Sequence, residues 1–137
     1  MNPVAPADAY SFVLLALAVW REARGESTTA KLAVAWSIHN RASRPSWWGG
    51  PSLASVVLCH DQYSSFNAND PNAAKWPAES DPSWKDSLQA AELVWAQAVA
   101  DPTGGATSYF SGDTVPTWAG AMTHTVDVGA FHFYRAV

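Results

Sequence analysis

The sequence has one cysteine, few basic residues and no long hydrophobic run, and each shortage removes a class of protein. Cys59, the single cysteine among 137 residues, cannot form an internal bridge, so no disulfide framework holds the fold. It follows the apolar stretch Leu53 to Leu58 and reads as a small buried hydrophobe rather than a nucleophile. Eight Lys and Arg against twelve Asp and Glu leave a net charge of −4. Such a chain offers nothing to a phosphate backbone, and nucleic acid is not an expected partner. The apolar run Phe12 to Trp20 has no basic segment ahead of it and ends on Arg21 and Glu22. It is too short to insert in a membrane and has the wrong flanks for a signal peptide. The histidines His39, His60, His124 and His132 show no tight ligand spacing such as HExxH, so no metal or other cofactor is expected.

What is present is enough for one domain spanning 1–137, with Met1 to Pro6 as a loose arm. A chain of this length buries a sufficient core without staples. Eight tryptophans exceed ordinary packing needs, and their flat apolar faces suit the faces of sugar rings.

Helical patterns dominate the first two-thirds. Asp8 is placed to cap a helix from about Ala9 to Ala23, apolar nearly all round and therefore central. Thr28 and Thr29 cap a second helix to about Arg44, and Ser52 caps a short third to about Leu58. Asp81-Pro82 opens a fourth, Ser83 to Ala100, with Trp84, Leu88, Ala91 and Trp95 on one face. Between His60 and Asp81 lies a long polar loop, of a length that is often functional, with Gln62 to Phe66 expected to be extended. After Asp101-Pro102-Thr103-Gly104-Gly105 the segments Ser108 to Phe110, Thr123 to Val128 and Phe131 to Tyr134 read as strands. Helices first and strands late predict an α+β fold, mainly helical with a small antiparallel sheet.

The residue with the most chemical content is Glu22. It shares a helix face with Ala18 and Val19, and desolvation on that face would raise its pKa toward that of a glycosidase acid. A glutamate at a helix C-terminus opposes the macrodipole and is not placed there for helix stability. From the residues alone, a solvated helix end and a catalytic acid remain equally open. Glu26 is a secondary candidate. It couples to Glu22 if the helix continues through Gly25 and points elsewhere if Gly25 ends it. Arg24 reads as structural, bridging to a loop. Trp36, Trp84 and Trp95 read as core, whereas Trp118, after Pro116 in a polar loop, is free to stack a ligand.

The segment Ala18-Val19-Trp20-Arg21-Glu22-Ala23-Arg24-Gly25-Glu26, then Ala33-Val34-Ala35 and Asn40-Arg41, resembles the SleB-type cell wall hydrolases, which include spore cortex-lytic enzymes and phage endolysins. The likeness continues through Gln62-Tyr63-Ser64, Asp101 to Ala106, Tyr109-Phe110, Pro116 and Trp118, and ends at Gly129, His132, Phe133 and Tyr134. It implies a lysozyme-like fold related to lytic transglycosylases. It further implies cleavage of the β-1,4 bond between N-acetylmuramic acid and N-acetylglucosamine in bacterial peptidoglycan, with Glu22 as acid and then base.

In that reading Gln62, Tyr63, Ser64 and Thr103 line the groove, and Tyr109, Phe110 and Trp118 stack sugars. His132 and Tyr134 lie near Glu22, although packing explains Tyr63, Thr103 and His132 equally well. A hydrolytic muramidase needs a second carboxylate, for which Glu26, Asp61 and Asp113 are candidates. A transglycosylase uses the sugar's own 6-hydroxyl instead. A zinc amidase and a non-catalytic sugar-binding module are the rival readings. The expected state is a monomer, made in a host cytoplasm and reaching the wall after release through a partner pore.

Overall fold

A computed structural model describes residues 6–60 and 62–137. Four helices, α1 (Pro6–Ala23), α2 (Thr28–Ser43), α3 (Leu53–Val57) and α4 (Pro82–Trp95), precede three strands, β1 (Ser108–Ser111), β2 (Thr123–Val128) and β3 (Phe131–Arg135). The fold is therefore α+β, mainly helical with a small antiparallel sheet. Helix α1 packs against α2, α3 and α4, as its all-round apolar sequence requires, and Leu15, Ala16, Ala18 and Val19 are fully enclosed. Among the described residues no helix is long and apolar enough to cross a membrane.

Helix boundaries follow local chemistry. α1 begins at Pro6, because proline suits a first helical turn, so Asp8 lies inside that turn rather than capping it. The rest of the expected arm lies outside the described residues. Ser27 rather than Thr28 or Thr29 caps α2, its hydroxyl accepting from the Ala30 amide at 3.2 Å. Ser52 and Asp81 cap α3 and α4 as expected. Asp81 also accepts from the Trp20 indole at 3.0 Å, tying α4 to α1.

The sheet order is β1-β3-β2, all antiparallel. Its alternation sends Phe131 and Phe133 into the core, while His132 and Tyr134 face outward beside Phe110. The dipeptide Asn40-Arg41 joins the helices to this sheet. The Asn40 amide donates to Asp101 Oδ2 and to the Ala106 carbonyl, each at 2.9 Å. The Arg41 guanidinium donates to the Thr107 carbonyl and to Ser108 Oγ. Cys59 is half-buried, not enclosed, with its thiol against the Trp47 carbonyl.

Candidate active site

Glu22 sits one residue before the end of α1, with Ala18 and Val19 fully buried on the same face. The Tyr109 hydroxyl of β1 donates to Glu22 Oε1 at 3.1 Å. Burial raises the pKa of this carboxyl. Tyr109 and the buried Ser65 hydroxyl, which has no well-formed partner elsewhere, pull it down, and the charge of Asp70 pushes it up again. The balance is upward, which favours a proton on Glu22 at higher pH than on an ordinary glutamate. Desolvation likewise raises the Tyr109 phenol well above its ordinary range, so it stays protonated and acts as a donor.

The loop that carries Ser65 and Asp70 is held by the residue before Glu22. Arg21, almost wholly buried, donates to the carbonyls of Ser65, Ala73 and Lys75 at 3.2–3.3 Å. Its guanidinium lies 4.6 Å from the Phe66 ring centroid and 5.0 Å from that of Trp76. Arg24 stacks on Trp20 and reaches Asn72 Oδ1 at 3.3 Å, so it bridges to the same loop. These long-range bonds fasten a loop that contains 3₁₀ turns at Ser64–Phe66 and Pro71–Ala74, the second capped locally by the Asp70 carboxylate. The extended segment expected for Gln62 to Phe66 does not form.

Tyr109 also lines a hollow of about 360 Å³ with Arg41, Trp47, Gln62, Ser108, Trp118 and Met122. Arg41 donates to Gln62 Oε1 at 3.3 Å, leaving the Gln62 amide donors for a ligand. Trp47, which the sequence marks only as part of the Trp47-Trp48-Gly49-Gly50 break after the second helix and not as a site residue, is among the more exposed large side chains. A hollow with aromatic walls and a few oriented polar groups suits a carbohydrate.

Several expected site residues lie elsewhere. Tyr63 is buried, its phenol pushed up to about 12 by desolvation, and packs under Arg41. Ser64 is exposed at the start of its turn, and it is Ser65 that faces Glu22. Thr103 is completely enclosed. Its hydroxyl donates to Asp101 Oδ1 at 2.6 Å and accepts from the Ala106 amide at 3.1 Å. It shapes a turn in which Gly104 and Gly105 take positive φ, and it touches no groove. Phe110, His132 and Tyr134 form a cluster on the outer face of the sheet, opposite Tyr109. Trp118 belongs to both sides, lining the hollow while packing edge-on against Phe110 and Tyr134.

The second carboxylates also resolve. α1 stops at Ala23, and the Glu26 amide closes a tight turn on the Ala23 carbonyl at 3.0 Å. The Glu26 side chain then lies against Gly129 in the β2–β3 turn, so the two glutamates do not stack along one helix. Asp113 lines the outer hollow beside His132. Asp61 lies outside the described residues. Asp70, which sequence reasoning missed, is the carboxylate whose charge acts on Glu22. Among the described residues no group of three His, Cys, Asp or Glu side chains is arranged to hold a metal ion.

Comparison with known proteins gives this geometry its context. No curated protein matches the sequence. Among solved structures, the catalytic domain of the germination-specific lytic transglycosylase SleB from Bacillus anthracis superposes with a TM-score of 0.73 at 24% identity. That match covers 98% of this chain and 99% of the other. The catalytic domain of the Bacillus cereus SleB protein superposes with a TM-score of 0.70 at 26% identity, over 98% of this chain and 94% of the other. The lysozyme-like fold implied by the sequence is therefore the fold observed. A family model described as cell wall hydrolase matches residues 25–134, beginning just after Glu22 and taking in Asn40, Arg41, Gln62, Tyr109 and Trp118. The chain belongs to the cell wall hydrolase family.

Proposed function

We propose that this protein is a lytic transglycosylase that cuts the β-1,4 bond between N-acetylmuramic acid and N-acetylglucosamine in bacterial peptidoglycan. The observation that carries the reading is a single desolvated carboxyl, Glu22, held by the Tyr109 hydroxyl beside an aromatic hollow. The solved relative from Bacillus anthracis is itself named a lytic transglycosylase, which supports the same chemistry here.

In the first step Glu22 gives its proton to the glycosidic oxygen as the bond to C1 of the muramic acid breaks. Positive charge develops on the sugar ring as negative charge develops on Glu22. The Tyr109 and Ser65 hydroxyls favour that developing carboxylate. In the second step the carboxylate takes the proton of the muramic acid 6-hydroxyl, whose oxygen bonds C1. The product is a 1,6-anhydro sugar, Glu22 is protonated again, and no water is consumed. A hydrolytic muramidase would need a water and a base to activate it. Glu26, turned against Gly129, is poorly placed for that task.

Mass spectrometry of digested peptidoglycan tests the proposal. Anhydro-muramic ends, lighter than reducing ends by one water, are the expected product. Reducing ends alone would make the enzyme a muramidase, and free stem peptides would make it an amidase. Delivery by a separate pore, as for a phage endolysin, is part of the reading. Cytoplasmic expression should lyse cells only when a pore-forming protein is co-expressed, and lysis without one would refute this part.

A further inference from the structure

The outer face of the sheet carries a hydrogen-bonded cluster that the chemistry at Glu22 does not use. His132 Nδ1 lies 2.8 Å from Asp127 Oδ1 on β2, and His132 Nε2 lies 3.1 Å from the Gly112 carbonyl oxygen, just after β1. His124 Nε2 lies 2.7 Å from the same Asp127 oxygen. The cluster thus ties β2 and β3 to the loop between β1 and Trp118. That loop is otherwise largely solvent-exposed from Gly112 to Val115. Gly112 starts it at φ +86, a conformation that favours glycine.

We propose that His132 is a positioning residue: by bridging Asp127 and the Gly112 carbonyl it holds the loop that sets Trp118 against the glycan-binding hollow. The inference rests on the reading of that hollow as the sugar site. The stereochemistry supports it directly. An ionised carboxylate and a carbonyl are both acceptors only, so both ring nitrogens of His132 must carry protons for both bonds to exist. The latch is therefore complete only with His132 as a cation.

The surroundings favour that cation. The hydrogen bond with Asp127 raises the His132 pKa most; desolvation opposes it, and the Asp127 charge, the Gly112 carbonyl and the Asp113 charge add to it. The Phe110 ring lies 4.8 Å away and packs against the imidazolium. The other titratable groups on this face are His124 on β2 and Tyr134 on β3. As pH rises through the raised His132 pKa, one proton leaves. The charge-assisted bond to Asp127 is the stronger of the two and is kept. A bare Nε2 lone pair then faces the Gly112 carbonyl, the loop loses this tether, and Trp118 is held only by its ring contacts with Phe110 and Tyr134.

The test follows Trp118 and His132 separately from catalysis. Acrylamide quenching of Trp118, taken as the difference between wild type and Trp118→Phe, should increase over the pH range in which the His132 ring titrates by NMR. KM for soluble glycan strands should rise several-fold over the same range, while kcat changes by no more than about two-fold. Asp127→Asn should move all three transitions to lower pH. His132→Asn should show the high KM at every pH without a transition. Quenching and KM that stay flat while His132 titrates would overturn the proposal, as would His132→Asn losing kcat at unchanged KM. If instead Glu22→Gln retains activity, the assignment of the site fails, yet quenching and NMR still report on the latch.

Discussion

Replacing Tyr109 with phenylalanine isolates one interaction at the Glu22 carboxyl. The ring is held by its neighbours, with centroids 5.3 Å from Phe131 and 5.5 Å from Phe133, so Tyr109→Phe keeps its packing. What goes is the donor 3.1 Å from Glu22 Oε1. A hydrogen bond to an ionised acceptor contributes about 1.5–3 kcal/mol. Glu22 keeps some contact with solvent, so water replaces part of the bond and the lower end of that range applies. The charged form of Glu22 loses this stabilisation while the protonated form loses little, so the carboxyl holds its proton more tightly.

A general acid works while protonated, and activity falls as pH rises through its pKa. At about 1.4 kcal/mol per pH unit, the alkaline fall in Tyr109→Phe should move upward by roughly one unit. Clearance of a peptidoglycan suspension, measured from acid to mildly alkaline pH, gives the midpoint. Orientation of the carboxyl also loosens, so the rate at the optimum should drop by about tenfold. A melting curve close to wild type confirms that the fold persists. A midpoint that stays in place or moves downward would show that Tyr109 does not stabilise the ionised carboxyl, and its proposed part in favouring the developing carboxylate would fall.

Two further substitutions probe the same region. Glu22→Gln should lower wall-lytic activity by about 10²–10⁴-fold, while Glu26→Gln, measured alongside, keeps most of its initial rate. Because the folded-state pKa of Glu22 is raised, ionising it costs the fold stability as pH climbs above the ordinary carboxylate range. Glu22→Gln should therefore raise Tm more at pH 8 than at pH 4, and an unchanged or lower Tm at pH 8 would contradict the burial argument. Arg21→Gln removes a buried cation from the carbonyls of Ser65, Ala73 and Lys75. It should cost about 3 kcal/mol and open the 64–76 segment to limited proteolysis, and a protease pattern identical to wild type would refute the anchoring role.

Much of the fold was legible because local chemistry and tertiary packing agree. Ser52 and Asp81-Pro82 have the side chains that helix starts require, and they start helices. The strands follow from alternation: Phe131 and Phe133 are the buried pair, as period two demands. Where the reading went astray, the deciding interaction was not local. α4 was expected to run to Ala100 but stops at Trp95. Gln97 takes φ 51, and the amides of Gln97 and Ala98 turn back to the carbonyls of Val94 and Leu93. This is the usual helix-ending geometry, with glutamine where glycine normally signals it. The turn at Pro71–Ala74 does open on a local signal, Asp70-Pro71, with the Asp70 carboxylate accepting from the Asn72 amide at 2.8 Å, but the fastening of the loop depends on Arg21, whose partners are more than forty residues away in sequence.

The site was half legible for a related reason. Glu22 and Tyr109 stand on regular elements, and period two places Tyr109 and Phe110 on opposite faces of β1; applied strictly, it separates Tyr109, on the side of Glu22, from Phe110 and its outward neighbours His132 and Tyr134. Ser65 and Asp70 stand on an irregular loop, and nothing in their spacing ties them to a glutamate more than forty residues earlier. Yet these two act on Glu22 in opposite senses, Ser65 pulling its pKa down and Asp70 pushing it up. Arg21 fastens their loop on either side of Asp70, through the Ser65 and Ala73 carbonyls, and it is the residue immediately before Glu22 in the chain. Arg21 and Glu22 therefore leave the same turn of α1 in different directions, one fastening the loop and the other lying under its influence. The anchoring and the carboxyl are thus adjacent in sequence, at a helix end where the dipole itself disfavours a carboxylate.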